Sequence, residues 1–153
     1  ALDTSGIAAW SLYEKVLPYV DLLLLDLKQM DPEAHEKMTG VKLEPILENA
    51  RKLGKAGLPV WVRTPIIPGN TDTIENVRSV ARFVAREMPG AERYDLLAFN
   101  NLCGAQYERL GMEFPLEEAE LVRKEEMEAF KEAAVEEGAP NVHWSGATRL
   151  EKE

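Results

Sequence analysis

The sequence predicts an α/β fold built on a mostly parallel sheet, and three observations carry that expectation. The first is Leu22-Leu23-Leu24-Leu25, an apolar run between Asp21 and Asp26. A run this short cannot span a membrane and suits a strand buried on both faces under covering helices. The second is the alternation of such runs with helical patterns, at the spacing of βαβ units. The third is that polar residues recur where apolar runs end: Asp3 and Thr4, Asp26 and Lys28, Arg63 and Thr64, Asn100 and Asn101. In a barrel or half barrel such positions converge on one mouth, at the carboxyl ends of the strands.

In chain order, Ala1 to Asp3 reads as the end of a strand and Thr4-Ser5-Gly6 as a turn that caps a helix. Ile7 to Leu17 carries a helical apolar stripe, and Pro18 stops it. In the leucine strand Leu22, Leu24, Asp26 and Lys28 share one face, because strand side chains alternate. Asp31-Pro32 opens a short helix through Met38 that Gly40 closes. Pro45, Ile46, Leu47, Ala50 and Leu53 mark a helix ending around Gly54 to Gly57. Val60 to Arg63 is a β-branched and aromatic strand running into a loop over Thr64 to Asn70. Asp72 and Glu75 have capping-box spacing, and Ile74, Val77, Val80, Ala81 and Val84 face the core. Tyr94 to Phe99 is a further strand, followed by a short helix around Gln106 to Leu110. An acidic helix is expected from about Leu116 to Glu137, then an edge strand at Asn141 to Trp144 and a frayed tail from Thr148 to Glu153.

Composition narrows the possibilities. A chain of 153 residues with 45% hydrophobic content is one ordinary domain. Its net charge of -9 argues against nucleic acid or an anionic membrane as partner. Residues 113 to 137 hold ten Glu against three Lys or Arg, which accounts for -7 of that charge. A single cysteine excludes an internal disulfide and any thiolate cluster made from this chain alone. No signal peptide or transmembrane helix stands out, so a cytoplasmic protein is expected. Ala1-Leu2-Asp3 looks like the tail of a longer strand, so a fragment is expected.

The strand-end residues also have structural readings. Asp3 and Thr4 suit a turn, Arg63 a surface charge and the Asn pair a turn. Turn chemistry, however, does not require opposite charges such as Asp26 and Lys28. His35, in a polar helix, and His143, in an edge strand, lack a second ligand at metal spacing.

Several motifs together resemble a known family. Leu2-Asp3-Thr4-Ser5-Gly6, Leu25-Asp26-Leu27-Lys28-Gln29-Met30, Thr39-Gly40 and Trp61-Val62-Arg63 leading to Ile67-Pro68-Gly69 are similar, in order, to the second half of glycyl-radical-enzyme activating proteins. These are radical S-adenosylmethionine oxidoreductases, and the likeness is greatest to the branch acting on pyruvate formate-lyase. The resemblance implies the C-terminal half of a partial (β/α)6 TIM-like barrel over residues 1–153, with the cluster-binding half absent. It implies a [4Fe-4S] cluster on three cysteines outside this chain, with no iron-sulfur ligand in it, and S-adenosyl-L-methionine bound to that cluster. One-electron reduction would yield a 5'-deoxyadenosyl radical that takes a hydrogen atom from a backbone glycine of the partner, a glycyl radical enzyme.

The same resemblance assigns Asp26, Leu27, Lys28, Asp3 and Asn100 to the cofactor, with Lys28 offering its charge to the methionine carboxylate. Arg63 and Thr4 fall to the protein substrate. Asp3, Thr4 and Asp26 match oxygen ligands of a monovalent cation. Two departures stand out: Asn100 replaces a cofactor-contacting histidine and Leu24 a methionine near the cation. The lone Cys103 reads as a small packed residue. Two other classes stay open, a lyase or aldolase with Lys28 as Schiff-base nucleophile and a non-catalytic binding module.

Overall fold

Five strands form one sheet in the order in which the chain makes them: β1 (Leu2–Thr4), β2 (Leu23–Asp26), β3 (Val60–Ile66), β4 (Ala91–Ala98) and β5 (Val142–Ser145). Every neighbouring pair is parallel in this computed structural model, which describes residues 1–149. Parallel crossovers are right-handed, so a chain that always adds its next strand on the same side lays every connecting helix on the same face. The helices are α1 (Trp10–Val16), α2 (Pro32–Thr39), α3 (Glu44–Leu53), α4 (Ile74–Glu87), α5 (Gly104–Arg109) and α6 (Lys124–Glu136). Leu23, Leu25, Val60, Val62, Ile66, Tyr94, Leu96 and Val142 bury one sheet face among Tyr13, Ile46, Leu53, Val80, Val84, Met127 and Phe130 of the helices. The opposite face holds Leu24, Asp26, Trp61, Arg63 and Leu97, none fully buried. This is the arrangement of an open barrel segment, with its helices outside and its inner wall bare.

Several elements follow their sequence signals. Asp31 Oδ1 accepts from Ala34 N at 2.7 Å to start α2, and Gly40, with φ 75°, ends it in the left-handed conformation that glycine adopts freely. Pro45 lies in the first turn of α3.

Others differ for identifiable reasons. Helix α1 begins at Trp10, not Ile7, because Asn49 Nδ2 donates to the carbonyls of Gly6 and Ala8 and holds that stretch as a loop. Gly6 has φ 82°, and a side chain there would meet Ile46 Cγ2 at 3.2 Å. Pro18 sits inside a 3₁₀ turn, Leu17–Tyr19, that prolongs the helix.

Strand β3 runs on through Thr64-Pro65-Ile66, which the sequence reading placed in a loop. After Leu27 N donates to Arg63 O, a parallel ladder would next bring the N–H of residue 65 to Leu27 O. Proline has none, and the Thr64 hydroxyl donates there at 2.6 Å instead. The N-cap of α4 is Thr73, whose side chain accepts from Asn76 N, and not Asp72.

Helix α6 starts at Lys124, eight residues later than expected. Its N-cap Arg123 is extended and Glu126 Oε2 accepts its N–H at 2.9 Å. Arg123 also bridges Arg149, whose N–H bonds Val122 O. That bridge ties down Arg149 in the expected tail, and 150–153 lie outside the described residues. His35 is buried, with Nδ1 3.0 Å from Val41 O.

Candidate functional site

The bare face gathers charge at the carboxyl ends of β1, β2 and β3. Asp26 and Arg63 are register partners on adjacent strands, so their side chains emerge side by side. Arg63 Nε lies 2.8 Å and Nη2 2.7 Å from Asp26 Oδ1, and Nη2 also lies 2.5 Å from Asp3 Oδ1. Lys28 Nζ donates to the other Asp26 oxygen at 3.1 Å. The side chains of Arg63 and Asp26 are 19% and 22% exposed, and that of Lys28 30%. Burial works against the Arg63 charge, but the hydrogen bonds and charges of Asp3 and Asp26 outweigh it and hold the guanidinium above its ordinary range. Two carboxylates thus face two cations, and the group is charge-balanced as it stands.

The backbone that carries Lys28 is held from behind. Asn76, in the first turn of α4, donates to Lys28 O at 2.9 Å and accepts from Met30 N at 3.0 Å. The buried Gln29 accepts from the N–H groups of Met30 and Asp31 and donates to Asn70 O. Leu27 points to the core, and its carbonyl accepts from Thr64, whose hydroxyl in turn accepts from the buried Tyr94 at 3.0 Å. Burial pushes the Tyr94 phenol well up, against the opposing pull of the Thr64 bond.

The structure brings Asp3, Asp26, Lys28 and Arg63 together, turns the Leu27 side chain into the core and places the remaining two expected residues elsewhere. The Thr4 hydroxyl turns to the helix face, 2.8 Å from Tyr13 Oη, and accepts from Gly6 N. Asn100 is exposed beyond the end of β4, where its side chain accepts from Leu102 N. The Arg63 guanidinium, expected beside the protein substrate, lies on the two carboxylates assigned to the cofactor and cation.

A second polar group on this face was not anticipated. Arg93 Nε donates to both oxygens of Asp95, at 2.9 and 2.8 Å, and its guanidinium carbon sits 4.6 Å from the centre of the Trp61 ring. Asp95 is almost buried and is the register partner of Arg63 on one side and His143 on the other. The available signal was charge at alternate positions, 93 and 95, of a strand whose intervening residues are apolar.

An amino-acid head group bearing an extra positive centre suits this donor set: Lys28 can take a carboxylate and Asp26 a cation, so each existing pair is exchanged for another. The space between the carboxylates of Asp3 and Asp26 is taken by the Arg63 guanidinium. An iron-sulfur cluster does not fit these residues, since Cys103 is the sole thiol and no group of three or more His, Cys, Asp or Glu gathers as a metal site among the described residues.

Residues 1–84 match the radical SAM superfamily. The chain belongs to that superfamily. It is 36% identical over 124 residues to the (2S)-3-sulfopropanediol dehydratase activating enzyme of Klebsiella oxytoca, covering 80% of this chain and 39% of the relative. With the pyruvate formate-lyase 1-activating enzyme of Escherichia coli (strain K12) the identity is 32% over 132 residues, 85% of this chain and 53% of the relative. The chain therefore spans about half, or less, of these relatives. A crystal structure of a domain of a pyruvate-formate lyase-activating enzyme from Bacteroides vulgatus superposes with a TM-score of 0.73 at 26% identity, over 94% of this chain and 79% of that one. Among the described residues of this radical SAM chain, no helix is long and apolar enough to cross a membrane.

Proposed function

We propose that this chain supplies the C-terminal half of a radical SAM activase that generates a glycyl radical on a partner enzyme such as pyruvate formate-lyase. The observation that carries the reading is the Asp26 carboxylate set between Lys28 and Arg63 at the carboxyl ends of two neighbouring strands, on the sheet face that no helix covers. The kinship with enzymes named as activators of glycyl radical enzymes supports it. We place the protein in the cytoplasm, with no nucleic acid or membrane as partner.

In this reading Lys28 holds the carboxylate of S-adenosyl-L-methionine and Asp26 faces its positive centre; Leu27, whose side chain is buried in the core, contributes only backbone there, and Asn100, exposed beyond β4, approaches the bound molecule only from the loop. Asp3 and Asp26, with Thr4 through its backbone carbonyl, hold a monovalent cation. Arg63, which pairs with the two carboxylates in this structure, meets the glycine segment of the protein substrate. When bound to a [4Fe-4S] cluster, S-adenosyl-L-methionine supplies a carbon radical for hydrogen abstraction, and the cluster's ligands lie outside this chain. What these residues contribute is orientation, charge balance and a wall that keeps the reacting centre at the mouth.

A Schiff-base reading of Lys28 is disfavoured by geometry, because its nitrogen donates to Asp26 and its side chain is 30% exposed. The test is a paired measurement on the complete activase: cofactor affinity by titration and radical yield by electron paramagnetic resonance. Lys28→Ala should weaken S-adenosyl-L-methionine binding by about tenfold, the loss of one charge-assisted contact. Unchanged affinity in that variant would sink the assignment.

A further inference from the structure

Arg63 stands between two acids. Asp26 lies beside it on β2 and Asp95 beside it on β4, at the same level of the sheet and on the same face. Neighbouring strands run about 4.8 Å apart, so both carboxylates fall within the swing of one guanidinium. In this structure the guanidinium turns to β2 and fills the space between Asp26 and Asp3 as a tethered cation. Asp95, almost buried, retains acceptor capacity beyond its bond to Arg93. Arg93 reaches it through Nε alone, and a carboxylate has more lone pairs than that bond uses. The other charged or titratable side chains facing the group are Lys28, already on Asp26, and His143, exposed beyond Asp95.

We propose that Arg63 is a displaceable counter-ion: a singly charged external cation enters between Asp3 and Asp26 only as the Arg63 guanidinium crosses from β2 to β4 and pairs with Asp95. Asp95 is then a positioning residue, acting on the cation site through Arg63 and touching no ligand. The proposal rests on the reading of Asp3 and Asp26 as a site for positive charge. It also links that site to the rest of the trough, because whatever contacts Arg63 in its crossed position is favoured by the cation and favours it in return.

Charge counting alone gives the signs of the single variants. Arg63→Gln removes a competitor and tightens cation binding, while Asp95→Asn removes an attraction and weakens it. The crossing demands more, namely that the two effects fail to add, because Asp95 matters only when there is an arginine to receive. The experiment is sodium binding to the chain, followed by sodium NMR relaxation, with folding of each variant checked by circular dichroism. Arg63→Gln should tighten binding and Asp95→Asn weaken it, each by about tenfold, while Asp95→Asn added to Arg63→Gln should change it by less than about twofold. Asp95→Glu, which keeps the acceptor, should stay within about threefold of the parent.

Equal weakening by Asp95→Asn in both backgrounds would overturn the crossing, as would an Asp95→Asn chain that binds sodium like the parent. The cofactor reading fails by a different route. If Lys28→Ala left S-adenosyl-L-methionine affinity intact while the sodium cycle coupled as described, the crossing would stand and the cofactor assignment would fall.

Discussion

At the scale of single residues, Asp26 is the one on which both neighbouring cations depend. Asp26→Asn would leave Lys28 without a carboxylate and Arg63 with only the exposed Asp3. Breaking a fully buried pair costs about 3–5 kcal/mol, and with these side chains partly solvated the expected loss is about 1–2 kcal/mol. Urea unfolding should show it as a lower midpoint at constant m. Tyr94 offers a test from the other side of the sheet. Its phenol loses its proton near pH 10 when free, and burial raises that value in the native state. Above about pH 10 the unfolded chain has released the proton and the native chain has not, so stability falls by about 1.4 kcal/mol per pH unit from this group. Below the ordinary value the contribution is whole. Tyr94→Phe should cost about 1 kcal/mol at neutral pH and flatten the alkaline limb. An alkaline slope equal to the parent's would remove Tyr94 as its cause.

At the scale of elements, the start of α4 decides how the Lys28 segment is held, because Asn76 sits in its first turn. Two neighbours compete for the cap. Asp72 has the sequence spacing, and Thr73 makes the hydrogen bond. Thr73→Ala should therefore destabilise by about 1 kcal/mol, and Asp72→Ala should stay within about 0.5 kcal/mol of the parent. Thermal melts of the two variants make the comparison, and the reverse order would return the cap to Asp72.

At the scale of the whole molecule, β1 and β5 are both edges of an unclosed parallel sheet, and the charged inner face lies bare between them. An unpaired edge offers its backbone groups to any second strand. The chain on its own should therefore self-associate as concentration rises, which light scattering would follow. A monomer at every concentration would mean that the short edges, of three and four residues, are too small to template pairing.

Local chemistry was enough to read much of this molecule from the sequence. Leucine runs bounded by acids, Asp31-Pro32 with Gly40, and strands alternating with helices are short-range signals, and they specified a parallel α/β sheet with Asp3, Asp26, Lys28 and Arg63 near its carboxyl ends. The Asp-Leu-Lys-Gln-Met run likewise pointed to the superfamily. What sequence could not assign was the direction of each side chain and the partner it meets. Thr4 and Asp3 are neighbours in the chain and point to opposite faces, because strand side chains alternate. The join of Arg63 to two carboxylates, and the pairing of Arg93 with Asp95 over Trp61, depend on register between strands dozens of residues apart. So does the survival of β3 past Pro65, which needs a Thr64 hydroxyl opposite Leu27 O. The late start of α6 needs Arg149 beside Arg123. Each of these is a contact across the fold, and only the assembled geometry of the sheet and its helices brings the two ends of it together.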